Sequence, residues 1–209
     1  TEIDMIPLHK ILVEKFQRKV IILNDAQAAT IGEHAIGAAN QFSSAAYITV
    51  STGVGGGLII NNQPVISADG LAGHFGFSTS RMSGGKCGSG RFDTFESIAS
   101  GNALVKFAEL SGHTGYDGKA VFDAHLSGGD WATKIIENSA KAIAELCVNL
   151  KVMLGLEVII LGGSIGLAKG YLNLVEQYIS KESDSFRIKI KPSILGENAA
   201  LLGVMYAQL

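Results

Sequence analysis

Asn24-Asp25 closes a short apolar run, Val20 to Leu23, and opens an Ala-rich stretch from Ala26 to Gly37. A β-branched run of that length predicts a buried strand, and the alanines predict a helix. Asp25 would then stand at the carboxyl end of a strand, the place where open α/β sheets bind ligands. A carboxylate there can take a proton from a substrate hydroxyl within hydrogen-bond reach. The same position suits a helix cap, with Asn24 as a turn residue. Position alone leaves both readings open.

A second kind of chemistry lies in the glycines, 26 of them against 3 prolines. Ser51-Thr52-Gly53-Val54-Gly55-Gly56-Gly57 follows a probable-strand pattern, AAYITVS at Ala45 to Ser51. Small hydroxyls beside backbone N–H groups bared by glycine form a cradle for phosphate. No G-x-x-x-x-G-K-(S/T) is present, so the segment is not a P-loop, and no G-x-G-x-x-G marks a dinucleotide fold. Gly162-Gly163-Ser164 repeats the grammar after EVIIL at Glu157 to Leu161, and a helix start there would attract an anion. Tight turns between strands account for any one cluster equally well. Two phosphate candidates and one strand-end carboxylate together suit a nucleotide-dependent transferase.

The loop from Leu71 to Glu96 carries His74, Cys87 and Glu96. A zinc centre needs about four N or S ligands, and Cys87 stands without local partners. His9, His34, His113 and His125 read as structural.

The elements that must position these residues alternate. Leu8, Ile11, Leu12 and Phe16 fall at helical spacing within Ile6 to Phe16. Strands are predicted at Val20–Leu23, Ala45–Ser51, Gly57–Ile60, Glu157–Leu161 and Arg187–Ile190. Asn61-Asn62 predicts a hairpin turn leading into Pro64-Val65-Ile66. Ala68 to Phe92 holds no period and reads as a long functional loop. Helices are predicted from Asp93 towards Leu110, over Ala120 to Ala124, and from Trp131 to Leu154. The last of these buries Ile135, Ile136, Ala142, Ile143, Leu146, Leu150 and Met153 on one face. Another runs from Ser164 to about Ser180, and the final one begins near Glu197. Alternating strands and helices give an α/β class.

The 209 residues carry a formal net charge of −2, with 47% hydrophobic, 17% charged and 7% aromatic. That buries a full core and excludes disorder. It argues against a nucleic acid partner, for which both the charge and the stacking residues are wrong. No run approaches the ~20 apolar residues that span a bilayer, so no membrane partner is expected. Two cysteines, Cys87 and Cys147, make no disulfide framework and place the protein in a reducing cytoplasm.

In this order the segments resemble the ROK family of sugar kinases, within the hexokinase and actin-like superfamily. LNDAQAA at Leu23 to Ala29 is similar to the family's N-D-A-N-A-A. ITVSTGVGGGLIINN at Ile48 to Asn62 is similar to its G-T-G-(I/V)-G-G-G strand and hairpin. DGLAGHFGF at Asp69 to Phe77 follows G-x-A-G-E-x-G-H. GKCGSGRFDTFESIASG at Gly85 to Gly101 follows the zinc segment. LGGSIGLAKGYL at Leu161 to Leu172 is similar to the late glycine motif. The wording is most similar to bacterial N-acetylmannosamine kinases, His74 standing where many relatives have Glu.

The resemblance implies an actin-like, hexokinase-type (ribonuclease H-like) ATPase fold, a mixed sheet flanked by helices. It implies residues 1–30 as the end of an N-terminal lobe leading into the catalytic loop, and 31–209 as the C-terminal lobe. The implied reaction phosphorylates the 6-hydroxyl of N-acetylmannosamine with ATP and Mg²⁺, in sialic acid catabolism. Asp25 would be the base, and Asn24, His74 and Glu96 would hold other sugar hydroxyls. Thr52 and Gly53 would line the ATP phosphates, with Gly162 and Gly163 near the nucleotide. The partners implied are a small sugar, ATP and a second copy in a homodimer. A ROK kinase for glucose or another hexose, or a non-catalytic sugar-sensing ROK protein, are the rival readings.

Two departures from the family pattern stand out. The family's first phosphate loop, D-(I/L)-G-G-T, does not occur, and the chain opens at Thr1 as if inside a domain; negligible ATP turnover by this stretch alone is the expectation. The family's His and three Cys zinc ligands fall at Phe77, Cys87, Ser89 and Thr94, so no zinc is expected. Phe75, Phe77, Phe92 and Phe95 would then form an apolar cluster in the metal's place.

Overall fold

The computed structural model describes residues 6–67 and 69–207. In chain order the helices and strands are α1 Leu8–Phe16, α2 Asp25–Ala35, β1 Ala45–Val50, β2 Val54–Ile60 and β3 Gln63–Pro64. Then come α3 Phe95–Ala99, α4 Gly101–Leu110, α5 Gly118–Leu126, α6 Asp130–Leu154 and β4 Val158–Gly162. The chain continues through α7 Gly163–Gly166, α8 Tyr171–Ile179, β5 Lys189–Pro192 and α9 Ala199–Tyr206.

The strands form one mixed sheet in the order β3-β2-β1-β4-β5. β1 and β2 are an antiparallel hairpin, whereas β1–β4 and β4–β5 are parallel. Alternation along each strand decides which face a side chain serves. Ala46, Ile48 and Val50 of β1 join Ile159 and Leu161 of β4 in the larger core, under α3, α6 and α8. Ala45, Tyr47, Val158 and Ile160 point the other way, towards Ala29 of α2 and Ala199 of α9. The sheet is covered on both faces, as a parallel pair requires. Asn61 and Asn62 both take positive φ, 52° and 63°, and turn the chain after β2 as expected.

Four expectations need correction. Val20–Leu23 is not a strand: those residues join no described strand, and Ile21 and Ile22 are 38% and 49% exposed. No described strand lies beside the run, and without a ladder a β-branched stretch has nothing to register against. The helix expected from Asp93 to Leu110 is two helices, because Ser100 adopts extended backbone and its side chain caps α4 through the Ala103 N–H. The helix expected after Gly162-Gly163 is also two, interrupted at Gly170, whose φ is 85°. Met153 is 68% exposed rather than core, since it lies in the last turn of α6, before the C-cap Gly155.

The rest of the α6 face is buried as its spacing predicts. Cys147 is part of it, and burial pushes its thiol up to about 12. Ser139 fixes the layers to one another: its hydroxyl pairs with Tyr171 Oη at 2.7 Å and with the Ala99 carbonyl at 3.0 Å, joining α6 to α8 and α3.

Candidate active site

Asn24 is the cap of α2. Its backbone is extended, and its Oδ1 accepts from the Ala26 N–H at 2.9 Å. Asp25 is therefore not the cap but the first helical residue, and its Oδ1 also accepts from Ala26 N–H, at 2.8 Å. It reaches this place from an extended segment rather than from a strand end. The start of α2 opens on a cavity of about 690 Å³. Asn24, Asp25, Thr52, Gly53, His74, Glu96 and Gly163 all line it, so the fold assembles segments that are up to 139 residues apart.

The glycine turns are built around one another. Gly101 N–H donates to the Ser51 carbonyl at 2.7 Å, tying the Ser51–Gly53 turn to the start of α4. A Cβ on Gly53 would stand 2.7 Å from Glu96 Oε2, and that same oxygen accepts from Val54 N–H at 3.2 Å. Glu96 is thus pressed on the turn, and a side chain at position 53 would make its carboxylate shift. Gly163 has φ 83°, and a Cβ there would collide with the Val50 carbonyl. Ser51 Oγ and Ser164 Oγ lie 3.1 Å apart, so the two turns touch.

Gly55, Gly56 and Gly57 are not part of a cradle loop. They lie within β2, where a Cβ on Gly56 would meet the Phe75 ring and one on Gly57 would meet Thr30. These glycines admit α2 and the His74 loop against the strand. Gly162 does not line the cavity; a Cβ there would strike the Tyr47 ring.

A second cavity of about 640 Å³ shares Ser51, Thr52 and Ser164 with the first and runs on between Asn102, Phe122 and Lys169. The site is thus two chambers joined at one glycine turn.

Residues 1–208 match the sequence profile of the ROK family. The chain belongs to the ROK family. It is 38% identical over 200 residues to the N-acetylmannosamine kinase of Haemophilus influenzae strain PittEE, covering 96% of this chain and 66% of that protein. It is 40% identical over 205 residues to the N-acetylmannosamine kinase of Vibrio cholerae strain O395, covering 96% and 69%. The chain thus spans just under two thirds of the Haemophilus relative's length. Among solved structures, the ROK hexokinase of Thermus thermophilus superposes with a TM-score of 0.84 at 30% identity, over 94% of this chain and 67% of that one. A ROK glucokinase of Streptomyces griseus, in complex with glucose and AMPPNP, superposes with a TM-score of 0.80 at 26% identity, over 94% and 70%. The hexokinase-type α/β fold expected from the sequence is the fold found.

The segment that follows the ROK zinc motif is not built for zinc. Phe77 has no donor atom and stacks on His74 at 5.6 Å. Cys87 Sγ is 3.0 Å from Ser89 Oγ, and Thr94 Oγ1 accepts from Ser97 N–H as the cap of α3. Burial alone would push the Cys87 thiol up, but hydrogen bonds with Ser89 and Thr94 outweigh it and hold the thiol below its usual value. Among the described residues, no three His, Cys, Asp or Glu groups gather as a metal site.

Asp93 orders the loop instead. Its Oδ1 accepts from Ser83 Oγ at 3.1 Å and from the N–H groups of Gly84 and Gly85 at 2.9 and 3.0 Å. The expected phenylalanine cluster is only half present. Phe75 and Phe95 are buried, but Phe92 is 63% exposed, where it pairs with Lys86 at the base of the Cys87–Arg91 turn.

His74 Nδ1 is buried without a hydrogen-bond partner among the described residues. The sequence did not single out Tyr47, Thr49 and Glu197, all of which line the main cavity together with Ser164. Burial raises the Tyr47 phenol above its ordinary value, partly offset by a hydrogen bond with Thr49. The signal for Tyr47 and Thr49 was their alternation with Ala46, Ile48 and Val50, which puts them together on the face away from the larger core.

Proposed function

We propose that this chain carries the site of an ATP-dependent N-acetylmannosamine kinase that phosphorylates the 6-hydroxyl, in sialic acid catabolism. One observation carries the reading: Asn24 caps α2, so Asp25 is released from that task and faces the cavity. Asp25 accepts the proton of the 6-hydroxyl as that oxygen attacks the γ-phosphorus. The bond from that phosphorus to the β,γ-bridging oxygen breaks, and ADP leaves.

Asn24, His74 and Glu96 hold other sugar hydroxyls in the main cavity. Thr52 and Gly53 line the phosphates where the two chambers meet, Gly163 borders the nucleotide, and adenosine occupies the second chamber. ATP enters as its Mg²⁺ chelate, which offsets charge on the phosphates. Among the described residues, those up to 30 form the end of an N-terminal lobe and those from 31 the C-terminal lobe, with α2 spanning the junction. The protein acts in the cytoplasm as a homodimer. Apolar surface at Leu201, Val204 and Met205, which are 56–74% exposed, supports a covering second copy.

A coupled ADP-release assay over N-acetylmannosamine, N-acetylglucosamine, mannose and glucose, run on the full-length protein, tests the reading. The expected result is the highest kcat/KM for N-acetylmannosamine. Preference for glucose would move the chain to the glucokinases, and no release with any sugar would remove the kinase reading.

A further inference from the structure

Glu33 lies eight residues after Asp25 on α2 and is fully buried. Its carboxylate is held by neutral donors. Oε2 accepts from Ala38 N–H at 2.8 Å. Oε1 accepts from the Ser193 hydroxyl at 2.5 Å and from the N–H groups of Ile194 and Leu195 at 3.0 Å each. Hydrogen bonds to a charged group are the strong ones, and they replace the water a buried carboxylate has lost. Three of the four come from one turn after β5.

That turn leads directly into the wall of the main cavity. Gly196 and Glu197 line it, followed by Ala199 and Ala200 of α9. One buried carboxylate therefore links the helix that presents Asp25 to the segment that presents Glu197. The helices themselves need no such link. Backbone contacts at Gly32 with Ala199, and at Gly203 with Ala28, already join α2 to α9. What Glu33 adds is a hold on the turn.

We infer that Glu33 is a positioning residue: it fixes the Ser193–Glu197 turn against α2 and so sets the alignment of the cavity around Asp25. The inference rests on the kinase reading. Misplacement by about 1 Å at a site remote from the reacting atoms is enough to cost roughly 10²-fold in rate.

Glu33→Gln tests it. An amide has one acceptor oxygen, so its NH₂ must face either Ala38 N–H or the three donors of the turn. The expected result is a kcat lower by at least ~10-fold, with KM for sugar and for ATP within about threefold. The pH profile of kcat should be unchanged, since Asp25 is intact. Amide exchange at Ile194 and Leu195 should quicken while Ala28, in the first turns of α2, stays as it was. If Glu33→Gln does not fold, Ser193→Ala removes a single donor and should lower kcat several-fold with the same split. A folded variant with wild-type kcat overturns the inference, even if its melting temperature is lower. If the unsubstituted full-length protein releases no sugar-dependent ADP, the kinase reading has failed and exchange decides the link alone. Quickened exchange at Ile194 and Leu195 then supports it, and unchanged exchange overturns it.

Discussion

Replacing Asp25 with Asn exchanges one carboxylate oxygen for an amide nitrogen and leaves the true cap of α2, Asn24, in place. Stability should therefore change by no more than ~0.5 kcal/mol, the range of a substitution that touches no cap or core. In the active enzyme, kcat should fall by at least ~10² while KM moves little, as for loss of a general base. Retention of most of the kcat would remove Asp25 from the chemistry. Asn24, Asp25, Thr52, Gly53 and Gly163 were legible because each belongs to a short motif whose local backbone does the placing. Glu197 was not, since its place in the cavity wall follows from the preceding turn being held against α2. Glu33 was invisible for the same reason: in the chain it reads as an ordinary helical Glu, and three of its four donors lie 160 to 162 residues away.

At the scale of elements, the Asp93 carboxylate orders the loop between Gly84 and Asp93. Zinc affinity comes largely from thiolate and imidazole donors, and here the four family positions offer Cys87 alone. Elemental analysis should find no stoichiometric zinc, and a zinc chelator should leave activity unchanged while Mg²⁺ is supplied in excess. About one zinc per chain, lost on replacing Cys87, would refute this. Backbone N–H groups of Gly84 and Gly85, then the Ser83 hydroxyl, hold the Asp93 carboxyl below its ordinary range. A depressed carboxylate favours the ordered loop above its unfolded value of about 3.9, and that contribution is lost as pH falls through the lower folded value. Exchange at the Gly84 and Gly85 amides should therefore accelerate selectively below about pH 4. In Asp93→Ala it should already be fast at neutral pH. Loop order that is indifferent to both changes would mean that the bridges Lys86–Phe92 and Thr79–Thr94 suffice. The sequence pointed to a loop without its family's zinc ligands but not to Asp93 as what orders it, because a carboxylate reaching back eight to ten residues leaves no periodic trace.

Across the whole molecule, the two helices on the site's face of the sheet meet without side chains between them. A Cβ on Gly32 would lie 2.5 Å from the Ala199 carbonyl, and one on Gly203 would collide with the Ala28 carbonyl and stand 2.9 Å from Gly32 N. Neither glycine has positive φ, so backbone freedom is not the reason for it. Close approach is. This contact lets α9 lie low enough for Ala199 and Ala200 to form part of the cavity wall. Periodicity located both helices, but nothing along the chain announces that residues 32 and 203 are neighbours. Gly203→Ala forces backbone against backbone, where no side chain can yield. Overpacking of that kind costs about 1–3 kcal/mol, which for a chain of this size lowers the melting temperature by roughly 2–4 °C per kcal/mol. Gly118→Ala is the control, because its Cβ would find nothing nearer than 3.6 Å and should leave the melting temperature almost unchanged. Sugar affinity in Gly203→Ala should weaken alongside stability, since the added methyl lifts α9, and the wall with it, away from α2. An unchanged melting temperature and unchanged affinity would show that the two helices can part freely, and that the cavity's shape is set by the sheet alone.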